Sequence, residues 1–284
     1  MRITDFLSGR NIIDWLIRLI IFFALTIVTQ IGGVIYLLCL PVFFFAKTFG
    51  LSRAWYFMMR VFIFSLFYSL ATFYIVPPLA EKYGRVPMPY GDENSVVQPH
   101  NFLTPLLNRR YVVANVRTVI DVAAQKIAKI YPGTVTEYLE CGFPFFDYPM
   151  RPHLSHNDGR KIDISFFYFD PVTKQRSNER PSWLGYGVSE VPQLGEQDQP
   201  AYCAQKGYWV YSFMKHITPQ YKNLAFDAPR TRDFLRFLLS DNRLQSILIE
   251  PHLETRLGLQ NNNKIKTPPC NSVRHDDHVH LSIY

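Results

Sequence analysis

The segment RHDDHVHLSIY, residues 274–284, gives the clearest indication of how this chain folds. Polar and apolar residues alternate from His278 to Ile283, and a period of two is typical of a β-strand with one buried face. Side chains two positions apart on a strand point the same way, so we expect His278 and His280 to face the same space. His275 has the opposite parity and is expected on a turn that enters the strand. A surface strand that simply carries two histidines is the alternative.

A second polar cluster lies far upstream, in SHNDGRKID, residues 155–163. Asp163 stands near the head of the apolar run 162–169, which predicts a strand, and a carboxylate there is costly to bury unless it is paired or binds a cation. His156 lies in a polar turn, and Gly159 would let that turn fold back over the start of the strand. Imidazole and carboxylate ligands without a thiolate are typical of catalytic zinc sites. A solvated histidine and an ion pair between the carboxylate and a basic neighbour are the alternative.

The two segments together offer a histidine, an aspartate and a histidine that could hold one divalent metal, with a coordination position left open. At these residues the chain resembles the superfamily of lysostaphin, D-Ala-D-Ala carboxypeptidases and hedgehog proteins, and most closely the penicillin-insensitive murein endopeptidases. The resemblance covers roughly residues 110–284, with both motifs in the expected order. The matching residues are Ser155, His156, Gly159 and Asp163 in the first motif, and His275, Asp276, His278 and His280 in the second.

The resemblance implies a zinc metallopeptidase of the murein endopeptidase or D,D-carboxypeptidase type, with one Zn²⁺ per chain bound by His156, Asp163 and His280. It implies that His278 lies beside the zinc-activated water as a general base or transition-state stabiliser, and that His275 is a further active-site histidine. The substrates would be peptidoglycan peptides, cut in their cross-links or stems. Asp276 and Asp277 could fix the tautomer of a histidine, or could simply end a turn.

Other candidate residues carry less information. Arg151 could hold a substrate carboxylate by a bidentate contact or lie on the surface. His252 follows a strand-like run and could line the cleft or serve structure, and Glu250 competes with His278 for the role of base. His153 is interpreted as a spectator. The sequence contains no Gly-x-Ser-x-Gly elbow, no phosphate-binding glycine loop and no CxxC pair.

The N-terminal third has a different composition. Residues 19–45 and 61–79 are almost entirely apolar, and each run is long enough to cross a hydrocarbon core of about 30 Å. We therefore predict a transmembrane region at residues 1–80. The first run could be two short spans that turn near Gly32-Gly33, or one long span bent at Pro41. A signal peptide is not expected, because the first run is too long and a second one follows.

The basic residues bear on the orientation of these spans. Residues 47–60 carry three basic residues and no acid, and the N-terminal tail carries Arg2, Arg10 and Arg18. The positive-inside rule places both segments in the cytoplasm only if the chain crosses three times, which is the arrangement we favour. A two-span chain would have its tail outside. We predict a bacterial inner-membrane protein whose catalytic domain faces the periplasm. Two spans with the tail inside would instead place that domain in the cytoplasm.

Residues 81–109 are predicted to be a Pro-rich linker, which either spans the distance from the membrane to the substrate or packs on the domain as an extended arm. Residues 110–284 are predicted to be a metallopeptidase-like domain. A few helices and several antiparallel strands predict an α+β fold built on an antiparallel sheet. The expected elements are helices at 110–130 and 230–239, strands at 134–139, 208–213 and 246–249, and a long polar loop at 170–199.

Charge and cysteine content add weaker constraints. The formal net charge of +7 is compatible with an anionic wall polymer or a lipid bilayer surface. No basic stripe interleaved with aromatic residues points to nucleic acid. One disulfide among Cys141, Cys203 and Cys270 is possible in an oxidising compartment. Two other functions stay open: a non-catalytic zinc-holding domain for binding or signalling, and a membrane assembly protein whose histidines are only structural.

Overall fold

The N-terminal part of the protein, seen in a computed structural model that describes residues 9–148, 154–208, 211, 216 and 218–284, consists of long apolar helices. Helix α1 spans Gly9–Thr29 and α2 spans Gly32–Lys47. Helix α3, Arg53–Leu70, continues through a π-helical turn, Ala71–Ile75, into α4, Val76–Lys82. The first apolar run is therefore a helical hairpin, which agrees with the alternative of two short segments that turn near Gly32-Gly33.

Close approach of α1 and α2 explains why glycine stands where the hairpin turns. Gln30 adopts a φ of 64° between the two helices. A Cβ atom on Gly33 would lie 2.0 Å from Thr26 Oγ1 and 2.6 Å from the Phe22 carbonyl oxygen. Any larger residue would push the helices apart, so the turn is fixed by sterics rather than by a proline.

In the part of the chain that the structure describes, two helical segments could cross a membrane by length and composition: Ile12–Thr29 and the continuous helix Arg53–Lys82. Helix α2 has 16 residues, which corresponds to about 24 Å at 1.5 Å per residue. Because the helices alternate in direction, the start of α1, the end of α2 and the start of α3 lie at one end of the bundle. The opposite end contacts the rest of the protein, where the Phe145 backbone N–H donates to Gln30 Oε1 (2.9 Å).

The remainder is an α+β domain, as the sequence predicts. Among the described residues its helices include α5 Leu103–Leu106, α6 Ala114–Ile130, α7 Gln199–Gln205, α8 Ala228–Leu239 and α9 Pro251–Arg256, with a short 3₁₀ turn at Leu154–Asn157. Its strands are β1 Val86–Pro87, β2 Val97–Pro99, β3 Tyr111–Val112, β4 Thr136–Glu140, β5 Lys161–Ser165, β6 Tyr168–Phe169, β7 Arg176–Ser177, β8 Ala225–Phe226, β9 Leu244–Leu248, β10 Ile265–Lys266 and β11 His278–Ile283.

The main sheet has the strand order β10-β9-β11-β5-β4-β2. Its four central strands are antiparallel, and the outer pairs β10/β9 and β4/β2 are parallel, so the sheet is mixed rather than wholly antiparallel. Strands β1 and β3 form a small sheet, and β6, β7 and β8 form another. Strand β2 comes from the proline-rich segment 81–109, which therefore packs on the domain as an arm.

One face of the main sheet forms the hydrophobic core with α6 and α8. The odd-numbered residues of β11, including Val279 and Leu281, are buried there with Ile120 of α6 and Phe234 of α8. The alternation in the sequence thus separates two faces, and His278 and His280 lie on the face opposite this core.

Several predicted boundaries are wrong in detail. The helix expected at 110–130 begins at Ala114, because Tyr111–Val112 pairs with β1 instead. The run 162–169 breaks after Ser165 into β5 and β6. Of the strand expected at 208–213, Tyr208 and Tyr211 are not in a strand, and the other four positions lie outside the described residues.

The backbone bonding near Tyr208 explains part of that last error. Its N–H donates to the Cys203 carbonyl (3.1 Å), which closes the end of α7. Tyr211 is only 2% exposed, so its side chain is buried although its backbone is not part of a strand.

Candidate metal centre

The pairing of β11 with β5 brings the first two candidate ligands together. His280 stands opposite Asp163 in the antiparallel register, and directly opposed residues have their Cβ atoms about 5 Å apart. Their side chains share a face, and His280 Nδ1 lies 2.8 Å from Asp163 Oδ1. The strand register therefore creates half of the site.

His156 reaches the same point from the turn before β5. It lies in the 3₁₀ turn Leu154–Asn157, and Gly159, with φ of 67°, reverses the chain into the strand. The positive φ favours glycine at this position, and a Cβ there would lie 1.4 Å from Arg85 Nη1, so the guanidinium would have to move. His156 Nε2 lies 3.2 Å from Asp163 Oδ1 and 3.2 Å from His280 Nδ1.

The three groups have the chemistry and spacing of a metal site. One ligand atom from each of His156, Asp163 and His280 lies within 4.8 Å of the others, so the group could hold a metal ion. Zinc bond lengths of about 2.0–2.1 Å place two tetrahedral ligand atoms about 3.3 Å apart, close to the observed 2.8–3.2 Å. Burial lowers the pKa of His280 to about 4, which keeps its imidazole neutral, as metal binding requires.

Tyr186 forms a hydrogen bond with the second oxygen of the Asp163 carboxylate. Its hydroxyl donates to Asp163 Oδ2 (2.9 Å), which leaves Oδ1 towards the two imidazoles. Its ring packs edge-on against His278, with the ring centres 4.9 Å apart. Tyr186 lies in the loop expected at 170–199 and was not a sequence candidate. A tyrosine between two glycines, Gly185 and Gly187, was the only signal that could have singled it out.

His278 lies beside the three-residue group but is not part of it. Its Nε2 is 3.8 Å from Asp163 Oδ2, and its Nδ1 is 2.5 Å from Asp277 Oδ1. The other oxygen of Asp277 accepts the Gly187 N–H (2.5 Å). An ionised Asp277 can only accept, so Nδ1 carries the proton and Nε2 offers a lone pair on the side of the metal group. Of the two aspartates proposed to fix a tautomer, Asp277 is the one in position.

His275 lies on the turn before β11, as its parity suggests. Its ring centre is 4.8 Å from that of His278 and 5.6 Å from that of His280. Its backbone N–H donates to Glu250 Oε1 (3.1 Å), and the Tyr211 hydroxyl also donates to that oxygen. Burial raises the pKa of Glu250 to about 7. Because it accepts the His275 backbone N–H, Glu250 stabilises the turn that carries His275.

The remaining sequence candidates lie apart from the metal group or outside the described residues. His252 is fully buried, its Nε2 lies 2.6 Å from the Glu190 carbonyl oxygen, and burial lowers its pKa. Asp276 accepts two hydrogen bonds from Arg274 (3.0 and 2.5 Å), so it holds the turn rather than His278. Arg151 and His153 lie outside the described residues.

A disulfide ties down the segment that leads into β11. Cys203 of α7 is bonded to Cys270, with a Cα–Cα distance of 5.2 Å. Cys141, the third candidate, is buried and free, as is Cys39 of α2. The bond fixes the approach of the chain to His275 and the strand that follows.

Comparison with known proteins leaves the family open. The chain matches no protein-family model, and a search of curated proteins returns no significant match. The likeness to the zinc peptidase superfamily therefore rests on the two motifs alone.

Proposed function

We propose that the protein is a membrane-anchored zinc-dependent peptidase that hydrolyses amide bonds in peptidoglycan cross-links or stem peptides. The observation that carries the proposal is the pair formed by His278 and Asp277 beside the group of His156, Asp163 and His280. Three protein ligands leave a coordination position open, and a neighbouring histidine of fixed tautomer supplies a base. Together they form the arrangement that metal-assisted hydrolysis requires.

The side chains divide the work of an acyl-transfer reaction. A bound zinc ion would supply a Lewis acid that polarises the scissile carbonyl and lowers the pKa of a water molecule to about 7. His278 Nε2 would accept the proton of the attacking water and return it to the leaving amine. Asp277 would hold the proton on Nδ1 and stabilise the imidazolium that forms. His275 would help to stabilise the negative charge that develops on the substrate oxygen.

Three features support a location at the bacterial inner membrane with the domain in the periplasm. The apolar helices are long enough for an anchor, and the basic residues Lys47 and Arg53 lie at the end of the bundle opposite the domain. The disulfide between Cys203 and Cys270 is the type of bond that persists in an oxidising compartment. The net charge of +7 suits an anionic wall polymer.

Incubation of the full chain, purified in mild detergent, with purified muropeptides tests the proposal. We expect new fragments by mass spectrometry, their loss on treatment with a chelator, and their return when zinc is added. The variant His278→Ala should keep its zinc and lose turnover. Cleavage that persists in the fully metal-free protein would contradict the proposal.

Burial of the metal group favours a second candidate, a non-catalytic zinc-holding domain. His156, Asp163 and His280 are each 1–4% exposed, and structural metals are commonly enclosed by protein. This alternative predicts stoichiometric zinc with no turnover of any muropeptide, and a loss of folding stability when the metal is removed. The same assay therefore separates the two functions.

A further inference from the structure

Helices α1, α2 and α3 line a cavity of about 530 Å³ that lies away from the metal group. Tyr36 and Phe43 of α2 are among its lining residues, and α1 and α3 contribute most of the others. The lining is mainly apolar, as expected where helices meet lipid, but its end nearest the α2–α3 connection is charged.

Three cations stand at that end of the cavity. The guanidinium carbon of Arg18 lies 4.8 Å from the ring centre of Phe44, and that of Arg60 lies 5.0 Å from the ring centre of Phe43. Phe43 and Phe44 are neighbours on α2, so the two guanidinium groups stand at a similar level along that helix. Lys47 lies one helical turn further out and also lines the cavity.

The cationic charge at this end exceeds what the protein itself neutralises. Among the described residues that line the cavity, Asp14 is the one acid, so the four charged side chains sum to three positive charges minus one, or +2. Among the described residues, no ion pair joins any of them to a partner. Arg60 Nε is buried with no hydrogen-bond acceptor in the described part of the chain. In a low-dielectric surrounding such a donor favours an anionic acceptor.

Tyr36 gives an independent indication of a ligand. Its side chain is only 4% exposed and lines the cavity, and its hydroxyl has no hydrogen-bond partner among the described residues. Its ring centre lies 6.2 Å from that of Phe43, on the inner side of the cationic end. A buried tyrosine hydroxyl normally finds a partner. The cavity therefore offers a hydrogen-bond donor to a polar ligand atom that lies deeper than the cationic end.

We propose that this cavity binds one anionic glycerophospholipid. Its phosphate lies between Arg18 and Arg60, one acyl chain occupies the apolar cavity, and the Tyr36 hydroxyl donates to an ester oxygen of that chain. Basic pockets between membrane helices on the cytoplasmic side are suited to anionic headgroups. The inference depends on the proposed membrane location of the helices and is independent of the peptidase chemistry.

Native mass spectrometry of the delipidated full chain, with phosphatidylglycerol or phosphatidylcholine added back, tests this site. We expect one phosphatidylglycerol per chain and weaker retention of phosphatidylcholine. Each of Arg18→Gln and Arg60→Gln should weaken binding of phosphatidylglycerol about fivefold, since one cation near anionic lipid contributes about that factor. Arg53→Gln is the matched control, because Arg53 lies at the same end of α3 but does not line the cavity, and it should bind as the wild type does.

Equal retention of phosphatidylglycerol and phosphatidylcholine would contradict the proposed site. An equal loss of phosphatidylglycerol binding in Arg53→Gln and Arg60→Gln would also contradict it, because it would indicate a diffuse electrostatic attraction of the lipid to this end of the helices. If the arginine variants do not fold, Tyr36→Phe decides, because it removes only one hydroxyl and should still weaken retention of phosphatidylglycerol. Unchanged retention in that variant would refute the site. Zinc content and muropeptide cleavage, measured on the same preparations, should be the same for Tyr36→Phe and wild type. A failure of the peptidase proposal is thereby distinguished from a failure of the lipid site.

Discussion

Replacing Asp277 with asparagine should reverse the hydrogen bond that fixes the tautomer of His278. In the native protein, Asp277 Oδ1 lies 2.5 Å from His278 Nδ1 and its Oδ2 accepts the Gly187 N–H. In Asp277→Asn, the amide oxygen is the only atom that can accept the Gly187 N–H, so the amide NH₂ faces the imidazole. Nδ1 must then accept, the ring proton moves to Nε2, and the base loses its lone pair.

The size of the effect follows from the role of that lone pair. General-base catalysis contributes roughly 10²- to 10⁴-fold to a rate, which corresponds to about 2.7–5.4 kcal/mol of barrier. We expect kcat for muropeptide cleavage in Asp277→Asn to fall by that range. The shape of the side chain is preserved and the three metal ligands are untouched. Zinc content should therefore stay at the wild-type level, and KM should change little.

Steady-state cleavage of a purified muropeptide, followed by chromatography, measures the change. Asp276→Asn is the control, because it removes the neighbouring carboxylate, which bonds to Arg274 and not to His278. Its activity, normalised to the folded fraction, should stay near wild type. A kcat in Asp277→Asn equal to that of wild type would refute the tautomer argument, and so would an equal loss in the two variants.

Three further perturbations test other parts of the structure. Tyr186→Phe removes the donor to Asp163 Oδ2 and should weaken zinc binding by about 10- to 100-fold in a chelator competition; an unchanged affinity would contradict its positioning role. The pKa of Glu250 is raised from 4.5 to about 7 by burial, so its contribution to stability is fully present below about pH 4.5 and is lost as the pH rises through about 7. Glu250→Gln should thus gain stability relative to wild type across that window, on the order of 3 kcal/mol, whereas parallel denaturation curves would show that Glu250 does not titrate in this way. Cys203 and Cys270 are 67 residues apart, so Cys203→Ser should lower the free energy of unfolding by about 4 kcal/mol, and a reductant should affect the wild type but not the variant.

Local patterns were enough to predict the elements that present the site. The alternation of β11 identified both the strand and its two faces, because the side-chain period of a strand is fixed by backbone geometry. The same reasoning separated His275 from His278 and His280. The two glycines in the middle of the first apolar run, Gly32 and Gly33, indicated the helical hairpin as one of two alternatives. The close contact that a side chain at Gly33 would make with Thr26 gives the physical reason.

Long-range relations were not accessible in the same way. Asp163 and His280 are 117 residues apart, and only the register of β5 with β11 brings their side chains together. Tyr186 lies in a loop without periodicity, so no pattern marks its contact with Asp163. The apolar run 162–169 was assigned to one strand because composition alone cannot reveal the break after Ser165. The disulfide partners could not be chosen from three cysteines, since pairing depends on how α7 packs.

Metal analysis of the purified full chain tests the central claim most directly, that His156, Asp163 and His280 hold one ion while His278 stands beside it. Inductively coupled plasma mass spectrometry should find one zinc per chain in the wild type and in His278→Ala. Asp163→Ala and His280→Ala, shown to be folded by circular dichroism, should contain almost none. A folded wild-type protein without stoichiometric metal would contradict the account, as would undiminished zinc in both ligand variants.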